Sequence, residues 1–105
     1  TATGSLAAEA MYYEAFYKNK DKDYKGSNDI VQRIAKDYGG HKEWAAKSLI
    51  VMAKNFNGLK DAYQASYILE SVAKNFKEYP EVVAEAKKEL ASVKAEAAKS
   101  NSSVK

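Results

Sequence analysis

The chain has 105 residues, enough for one small domain, and its hydrophobic fraction of 46% supports a packed core. Its formal charge of +3 is small and both signs are spread along the chain, whereas nucleic-acid-binding domains concentrate positive charge on one face. Cysteine is absent, which excludes disulfides and thiolate metal sites, and no apolar run approaches the roughly 18 residues of a membrane span, so we expect neither a nucleic-acid partner nor insertion into a membrane.

The first predicted helix follows a loose leader over residues 1–5 and has Ser5 as its N-cap. Apolar side chains then recur at steps of four, three and four residues, which is the spacing of one helical face. They are Leu6, Ala10, Tyr13 and Tyr17. Because Met11, Ala15 and Phe16 widen this stripe, we expect the helix to be covered on two sides. The charged run over residues 18–23 predicts a solvated turn.

The second predicted helix begins near residues 24–27, with Ser27 as its cap and Tyr24 as an apolar wedge before it. Its apolar stripe consists of Ile30, Ile34 and Tyr38. The following pair, Gly39-Gly40, predicts a left-handed residue that closes the helix.

The third predicted helix, over about residues 41–56, is apolar or small on nearly all sides, which is typical of a central helix. It ends at Gly58. Asp61 and Gln64 form a capping box for the fourth helix, and Pro80 opens a fifth helix with one narrow apolar stripe. The predicted core consists of Leu49, Met52, Ala53, Phe56, Ala65, Leu69, Val72, Val83, Ala86 and Leu90.

A repeated helix ending indicates structural repeats. Ala-Lys-Asn-Phe occurs at residues 53–56 and again at 73–76, and the related Ala-Lys-Asp-Tyr occurs at 35–38. The first residues of the outer two copies, Ala35 and Ala73, are 38 positions apart. Two helices within a unit of that length indicate a helical solenoid.

Residues 49–77 resemble a tetratricopeptide repeat. The positions that match the family's pattern of large, small and aromatic side chains are Leu49, Met52, Ala53, Phe56, Ala65, Leu69 and Val72. Residues 11–38 resemble a more divergent unit. The family's terminal proline is missing near Lys77, and leucine rather than tryptophan stands at position 49.

This resemblance implies an all-α fold in a single domain over residues 1–105, a five-helix antiparallel helical-hairpin solenoid. A divergent unit spans residues 5–38 and a clearer unit spans 41–77. A capping helix over 80–99 seals the stack, and the polar tail over 100–105 is expected to fray.

Two short segments, residues 44–48 and 61–65, are similar to repeat proteins of the bacterial cell envelope. This similarity favours the periplasm or cell envelope over the cytoplasm and leaves the localisation otherwise open. Because the chain begins at Thr1 without methionine, we expect it to be part of a longer protein whose adjacent repeats contact it.

No residue pattern predicts catalysis. His41 is the only histidine, and a metal site needs several converging ligands. Glu81, Glu85 and Glu89 follow one another at four-residue spacing, but on a helix with a single apolar stripe they are expected to face water rather than act as an acid–base pair. We therefore expect a non-catalytic protein without metal or cofactor.

The aromatic cluster of the first helix is the most informative feature. Its four rings, Tyr12, Tyr13, Phe16 and Tyr17, fall within six residues and cannot all face one core. In tetratricopeptide arrays the first helix of each pair lines a concave surface. By resemblance that surface, which we call the first-helix face, comprises Tyr12, Phe16, Asn19, Lys47, Ile50, Lys54 and Asn57.

Three functions fit these features. The favoured one is a protein or peptide interaction module, in which Lys47 and Lys54 flank Ile50 and suit an acidic, partly apolar segment. The second is a small-ligand carrier or enzyme with a closed pocket lined by the aromatic cluster. The third is a homo-oligomerisation module that uses the exposed first helix.

Overall fold

The computed structural model describes residues 2–104, with the backbone alone for residue 2 and for residues 100–104. This part of the chain is entirely helical and contains no strand, which confirms the predicted all-α class with five helices. The helices are α1 (Ala2–Lys20), α2 (Tyr24–Tyr38), α3 (Lys42–Gly58), α4 (Ala62–Asn75) and α5 (Pro80–Val104). The tail predicted to fray is therefore helical as far as Val104, and Thr1 and Lys105 lie outside the described residues.

α3 is the central helix, as its apolar composition predicts. It contacts each of the other four helices. α1, α3 and α5 form one layer and run in the same direction. Residues at the starts of these helices line shared depressions, and residues near their ends are hydrogen-bonded to one another. α2 and α4 cover one side of this layer. α2 packs against α1 and α3, and α4 packs against α3 and α5.

Two apolar clusters hold the layers together, and α3 contributes to both. The cluster between α1, α2 and α3 contains Ala15, Ile30, Val31, Ile34 and Val51. The cluster between α3, α4 and α5 contains Ala46, Ile50, Ala53, Ala65, Leu69, Val72, Val82, Ala86 and Val93. α3 is thus the helix that joins the pair α1–α2 to the pair α4–α5, and without it both clusters would be partly exposed to water.

Most of the predicted core is confirmed, with one error of helix phase. Five predicted residues are fully buried, and four pack against the clusters while partly exposed, namely Leu49, Met52, Phe56 and Leu90. In α5 the buried residue is Val82, 2% exposed, instead of Val83. Val82 shares its side of the helix with Ala86 and Val93, and Val83 lies about 100° away around the axis.

The turns that close the two hairpins have the same geometry 38 residues apart. Lys22 and Lys60 have positive φ angles of 65° and 68°, and each precedes an aspartate that caps the next helix. The carboxylates of Asp23 and Asp61 accept hydrogen bonds from the amides three residues further on, at 3.0 and 3.1 Å. The period inferred from the helix endings therefore also holds at the turns.

Three predicted helix caps are wrong, whereas the cap at Asp61 is confirmed. Ser5 lies inside α1. Ser27 lies inside α2, whose N-cap is Asp23. Gly39 follows α2 with a φ of −60°, in the right-handed region, so no left-handed glycine closes this helix. Ser27 was misplaced because small polar residues also occur inside helices where their side chains find a partner, in this case the carbonyl of Ala15 and the amide of Asn55.

Gly58 is the last residue of α3, and packing explains why this residue is a glycine. Its φ is not positive, and a Cβ atom added to it would collide with the ring of Tyr24. Since Tyr24 opens α2, the missing side chain lets the start of α2 approach the end of α3.

A buried polar network joins α1, α2 and α3, with the fully buried Asn55 at its centre. The Nδ2 of Asn55 donates to Oγ of Ser27 at 2.8 Å and to Oδ1 of Asn28 at 2.7 Å. Its Oδ1 accepts from Nδ2 of Asn19 at 2.8 Å. The Ser27 hydroxyl donates in turn to the carbonyl of Ala15 at 2.7 Å. Both polar atoms of the Asn55 side chain are thus satisfied, which offsets the cost of burying an amide.

Replacing Asn55 with alanine should lower the free energy of unfolding by about 2–4 kcal/mol, because it removes the hydrogen-bond partner of the buried Asn28 and of the partly buried Asn19. Asn75→Ala is the matched control. Asn75 holds the same place in the second Ala-Lys-Asn-Phe but is exposed, so we expect a change within about 0.5 kcal/mol. Chemical denaturation measures both, and equal losses of stability would contradict the role of the network.

Candidate partner-binding site

Aromatic side chains from α1 and α3 meet on the first-helix face, which in the structure also includes Tyr13 and Trp44. The ring centroid of Trp44 lies 5.6 Å from that of Tyr12 and 6.4 Å from that of Tyr13. Phe16 lies 6.2 Å from Tyr12, and Tyr17 lies 5.3 Å from Phe16. Tyr13 remains 45% exposed. The cluster therefore presents apolar ring surface to solvent instead of being absorbed by the core.

Two lysines lie over rings of this cluster. The Nζ atom of Lys47 is 4.6 Å from the ring centroid of Trp44 and 3.8 Å from Oε2 of Glu43. The Nζ atom of Lys20 is 5.1 Å from the ring centroid of Phe16. The ammonium of Lys47 is thus shared between an indole face and a carboxylate.

A row of glutamates on α5 borders the first-helix face on the side away from α1. This acidic edge comprises Glu81, Glu85, Glu89 and Glu96. The Nζ atom of Lys54 lies 4.0 Å from Oε2 of Glu85 and 3.6 Å from Oε1 of Glu89. The edge reaches the end of α3, where the Asn57 amide donates to Glu96 at 3.5 Å. Both lysines predicted to attract an acidic partner therefore already have carboxylate partners within the chain.

The outer helices of this layer interact electrostatically across α3. Burial raises the pKa of Tyr12 on α1 above its ordinary value, and the negative charge of Glu85 on α5 raises it further, followed by a smaller effect of Tyr13. A carboxylate influences a phenol in this way only over a short distance. The rings of α1 and the acidic edge of α5 border the same side of α3, because Lys47 lies over Trp44 beside the rings and Lys54, two turns further on, pairs with Glu85 and Glu89.

The structure places the seven predicted site residues in three environments. Ile50 is 1% exposed and belongs to the core, so its predicted position on an accessible surface is wrong. The reason is that the Ile50 side chain is directed toward α4 and α5 and packs in the apolar cluster that they form with α3. Asn19 is directed into the buried network of Asn55. The remaining five are partly exposed, namely Tyr12, Phe16, Lys47, Lys54 and Asn57.

Sequence reasoning missed Trp44, Glu43 and the acidic edge as parts of this surface. The four-residue spacing of Glu81, Glu85 and Glu89 did show that they share one side of α5. The spacing does not show which neighbouring helix that side borders, because this depends on tertiary packing.

The apolar stripe that was expected to be packed on α1 is exposed. Leu6 and Tyr17, at its two ends, are 65% and 61% exposed, and α1 buries Ala8 and Ala15 instead. Both α2 and α3 lie on the alanine side. When a helix carries apolar residues on two sides, the packing of the neighbouring helices decides which side is buried.

Two open depressions lie where α1, α3 and α5 begin. One of about 230 Å³ is lined in part by Ser5, His41 and Trp44, and the other, of about 250 Å³, is lined in part by Glu43, Tyr79 and Glu81. Enclosed small-ligand sites usually measure about 300–1,000 Å³. The four rings of the first helix line neither depression.

Comparison of the chain with protein-family models, with curated proteins and with solved structures finds no match. Across residues 2–104, no helix has both the length and the apolar character required to span a membrane. The same residues contain no group of three or more acidic or histidine side chains placed to hold a metal ion.

The raised pKa of Tyr12 predicts an alkaline loss of stability. Above the ordinary tyrosine pKa of about 10 the unfolded chain loses this proton more readily than the folded one, so stability falls as the pH rises through the folded pKa. Tyr12→Phe should make the fall between pH 9 and pH 11 shallower. Tyr63→Phe, at a position that is 81% exposed, controls for the loss of one phenol. Denaturation curves at both pH values provide the measurement, and an unchanged slope in Tyr12→Phe would contradict this assignment.

Proposed function

We propose that this chain is a non-catalytic interaction module that binds a protein or peptide segment on the first-helix face. The observation that carries the proposal is the aromatic cluster with Trp44, which bridges α1 and α3 and remains partly exposed. Partly exposed aromatic rings on a rigid helical surface are typical of the centre of protein interfaces. Tyr12, Tyr13, Phe16 and Trp44 therefore form the proposed contact area.

The proposed architecture is a stack of two tetratricopeptide-like hairpins followed by α5 as a capping helix. Two observations support it: α3 packs between α1 and α5 in a layer of parallel helices, and the two hairpin turns share one geometry at a 38-residue interval. In such a stack the first helices form one continuous surface, which suits an extended partner segment.

The proposal of binding without catalysis rests on the site's side chains. Lys47 and Lys54 are paired with glutamates, and the partly exposed groups beside them are rings and amides. The two depressions at the helix starts are open and smaller than usual small-ligand sites. These features favour a docking surface over the carrier or enzyme alternative.

Self-association is a second candidate, favoured by the exposed stripe of α1 that includes Leu6 and Tyr17. Apolar side chains at this exposure are typical of surfaces that meet another helix. This stripe shares Tyr13 with the proposed contact area, but Leu6 and Tyr17 at its two ends are not changed in the variants below, so substitutions at these two positions test self-association separately.

The test compares two double variants that each remove two aromatic rings. Tyr13→Ala with Phe16→Ala removes rings from the first-helix face, whereas Tyr63→Ala with Tyr67→Ala removes two exposed rings from α4. Proteins from a lysate of the source organism are captured on the wild-type chain and on each variant, after circular dichroism has shown that the helices are intact. We expect a partner that is retained by the wild type and the α4 variant and is lost, by at least about tenfold, from the first-helix variant.

The opposite pattern, in which the α4 variant loses the partner and the first-helix variant keeps it, would move the binding site to the other layer. Loss in neither variant would also contradict the proposal.

A further inference from the structure

The acidic edge carries negative charge that the chain does not neutralise internally. Lys54 lies between Glu85 and Glu89 and can balance only one of them. Among the described residues, Glu81 and Glu96 have no ion-pair partner within 4.0 Å. The surface therefore keeps carboxylates available to an incoming positive group.

Two lysines of the chain show how an ammonium group can bind on the first-helix face. Lys47 places its Nζ over the ring of Trp44 and next to the carboxylate of Glu43, at 4.6 and 3.8 Å. Lys20 places its Nζ over Phe16 without a carboxylate within ion-pair distance in the described part of the chain. Ring faces and carboxylates both attract cations, and their attractions act together on one bound group.

Rings and carboxylates are close enough for one ligand to reach both. Lys47 lies over Trp44 beside the rings, and Lys54, on the same side of α3 and about 10 Å further along it, pairs with the acidic edge. An anionic segment in this space would meet the unpaired carboxylates, and Lys47 and Lys54, two of the lysines that could attract it, are already paired with glutamates of the chain.

We infer, on the basis of the proposed function, that the partner segment is cationic and inserts lysine or arginine side chains between the rings of α1 and the acidic edge of α5. This reverses the charge expected from the sequence, where Lys47 and Lys54 suggested an acidic partner. Because the contacts are partly exposed, binding is moderate in strength and weakens with added salt.

The experiment is selection from a library of random peptides of fixed length displayed at low salt. The library contains basic, acidic and neutral sequences alike, so the net charge of the enriched peptides reports which charge the protein binds. Peptides enriched on the wild type are synthesised, and their dissociation constants are measured by the fluorescence of Trp44, the only tryptophan in the chain. The first-helix variant Tyr13→Ala with Phe16→Ala serves as the selection background.

Two double variants with the same change in net charge test the acidic edge. Glu85→Gln with Glu89→Gln removes two of its carboxylates, and Asp29→Asn with Asp37→Asn removes two exposed carboxylates from α2. We expect enriched peptides with more Lys and Arg than Asp and Glu. Their binding should weaken about tenfold in the glutamate variant and less than about twofold in the aspartate variant.

Four outcomes would contradict the inference or the function on which it rests. Enrichment of acidic peptides, or unchanged binding of basic peptides to the glutamate variant, would overturn the inference while leaving a peptide-binding surface. Equal weakening in both charge variants would show attraction to the overall charge and would also overturn it. No enrichment over the first-helix variant would overturn the proposed function itself.

Discussion

The side-chain amide of Asn55 is the constraint on which the arrangement of the first three helices depends. It is fully buried and exchanges hydrogen bonds with Asn19 near the end of α1 and with Ser27 and Asn28 near the start of α2. Apolar packing is not directional, so side chains such as Ile30 and Val51 could tolerate a sliding of one helix along another. A buried amide cannot, because each lost hydrogen bond leaves an unsatisfied polar group in the core.

This constraint also determines the shape of the first-helix face. Since the amide network fixes the end of α1 against the end of α3, the preceding turns of the two parallel helices are held in register. Tyr12 and Tyr13 then lie beside Trp44. On the other side of α3, Lys54 and Asn57 contact the glutamates of α5 and align the acidic edge. A surface made of three parallel helices can thus be preorganised without a loop, and in the proposed function this would lower the entropy lost on binding.

The sequence predicted the fold class, the five helices and most of the core, because periodic apolar residues and helix-capping residues are local signals. The cap at Asp61 was found in this way, but its equivalent at Asp23 was missed, although the 38-residue period aligns the two. Local signals failed where tertiary neighbours decide. Asn55 and Asn75 share one tetrapeptide, yet the first is buried because α1 and α2 cover it and the second is exposed.

The same limit applies to the site. Tyr12, Phe16, Lys47 and Lys54 were placed on one surface from the resemblance, and they do lie on the helices that form it. Ile50 was included because it lies between the two lysines along α3, but α3 is covered there. The two glutamates that pair with Lys54 lie more than thirty positions further along the chain, and spacing within one helix cannot reveal such pairs.

The most direct test of the central claim is the hydrogen exchange of asparagine side-chain amides, followed by nuclear magnetic resonance. Asn55 and Asn75 provide a buried and an exposed amide from the same tetrapeptide in one sample. If the buried network joins the three helices, the Nδ2 protons of Asn55 exchange at least about 100-fold more slowly than those of Asn75. Exchange of both amides at similar rates would show that the network opens readily, and would contradict the account.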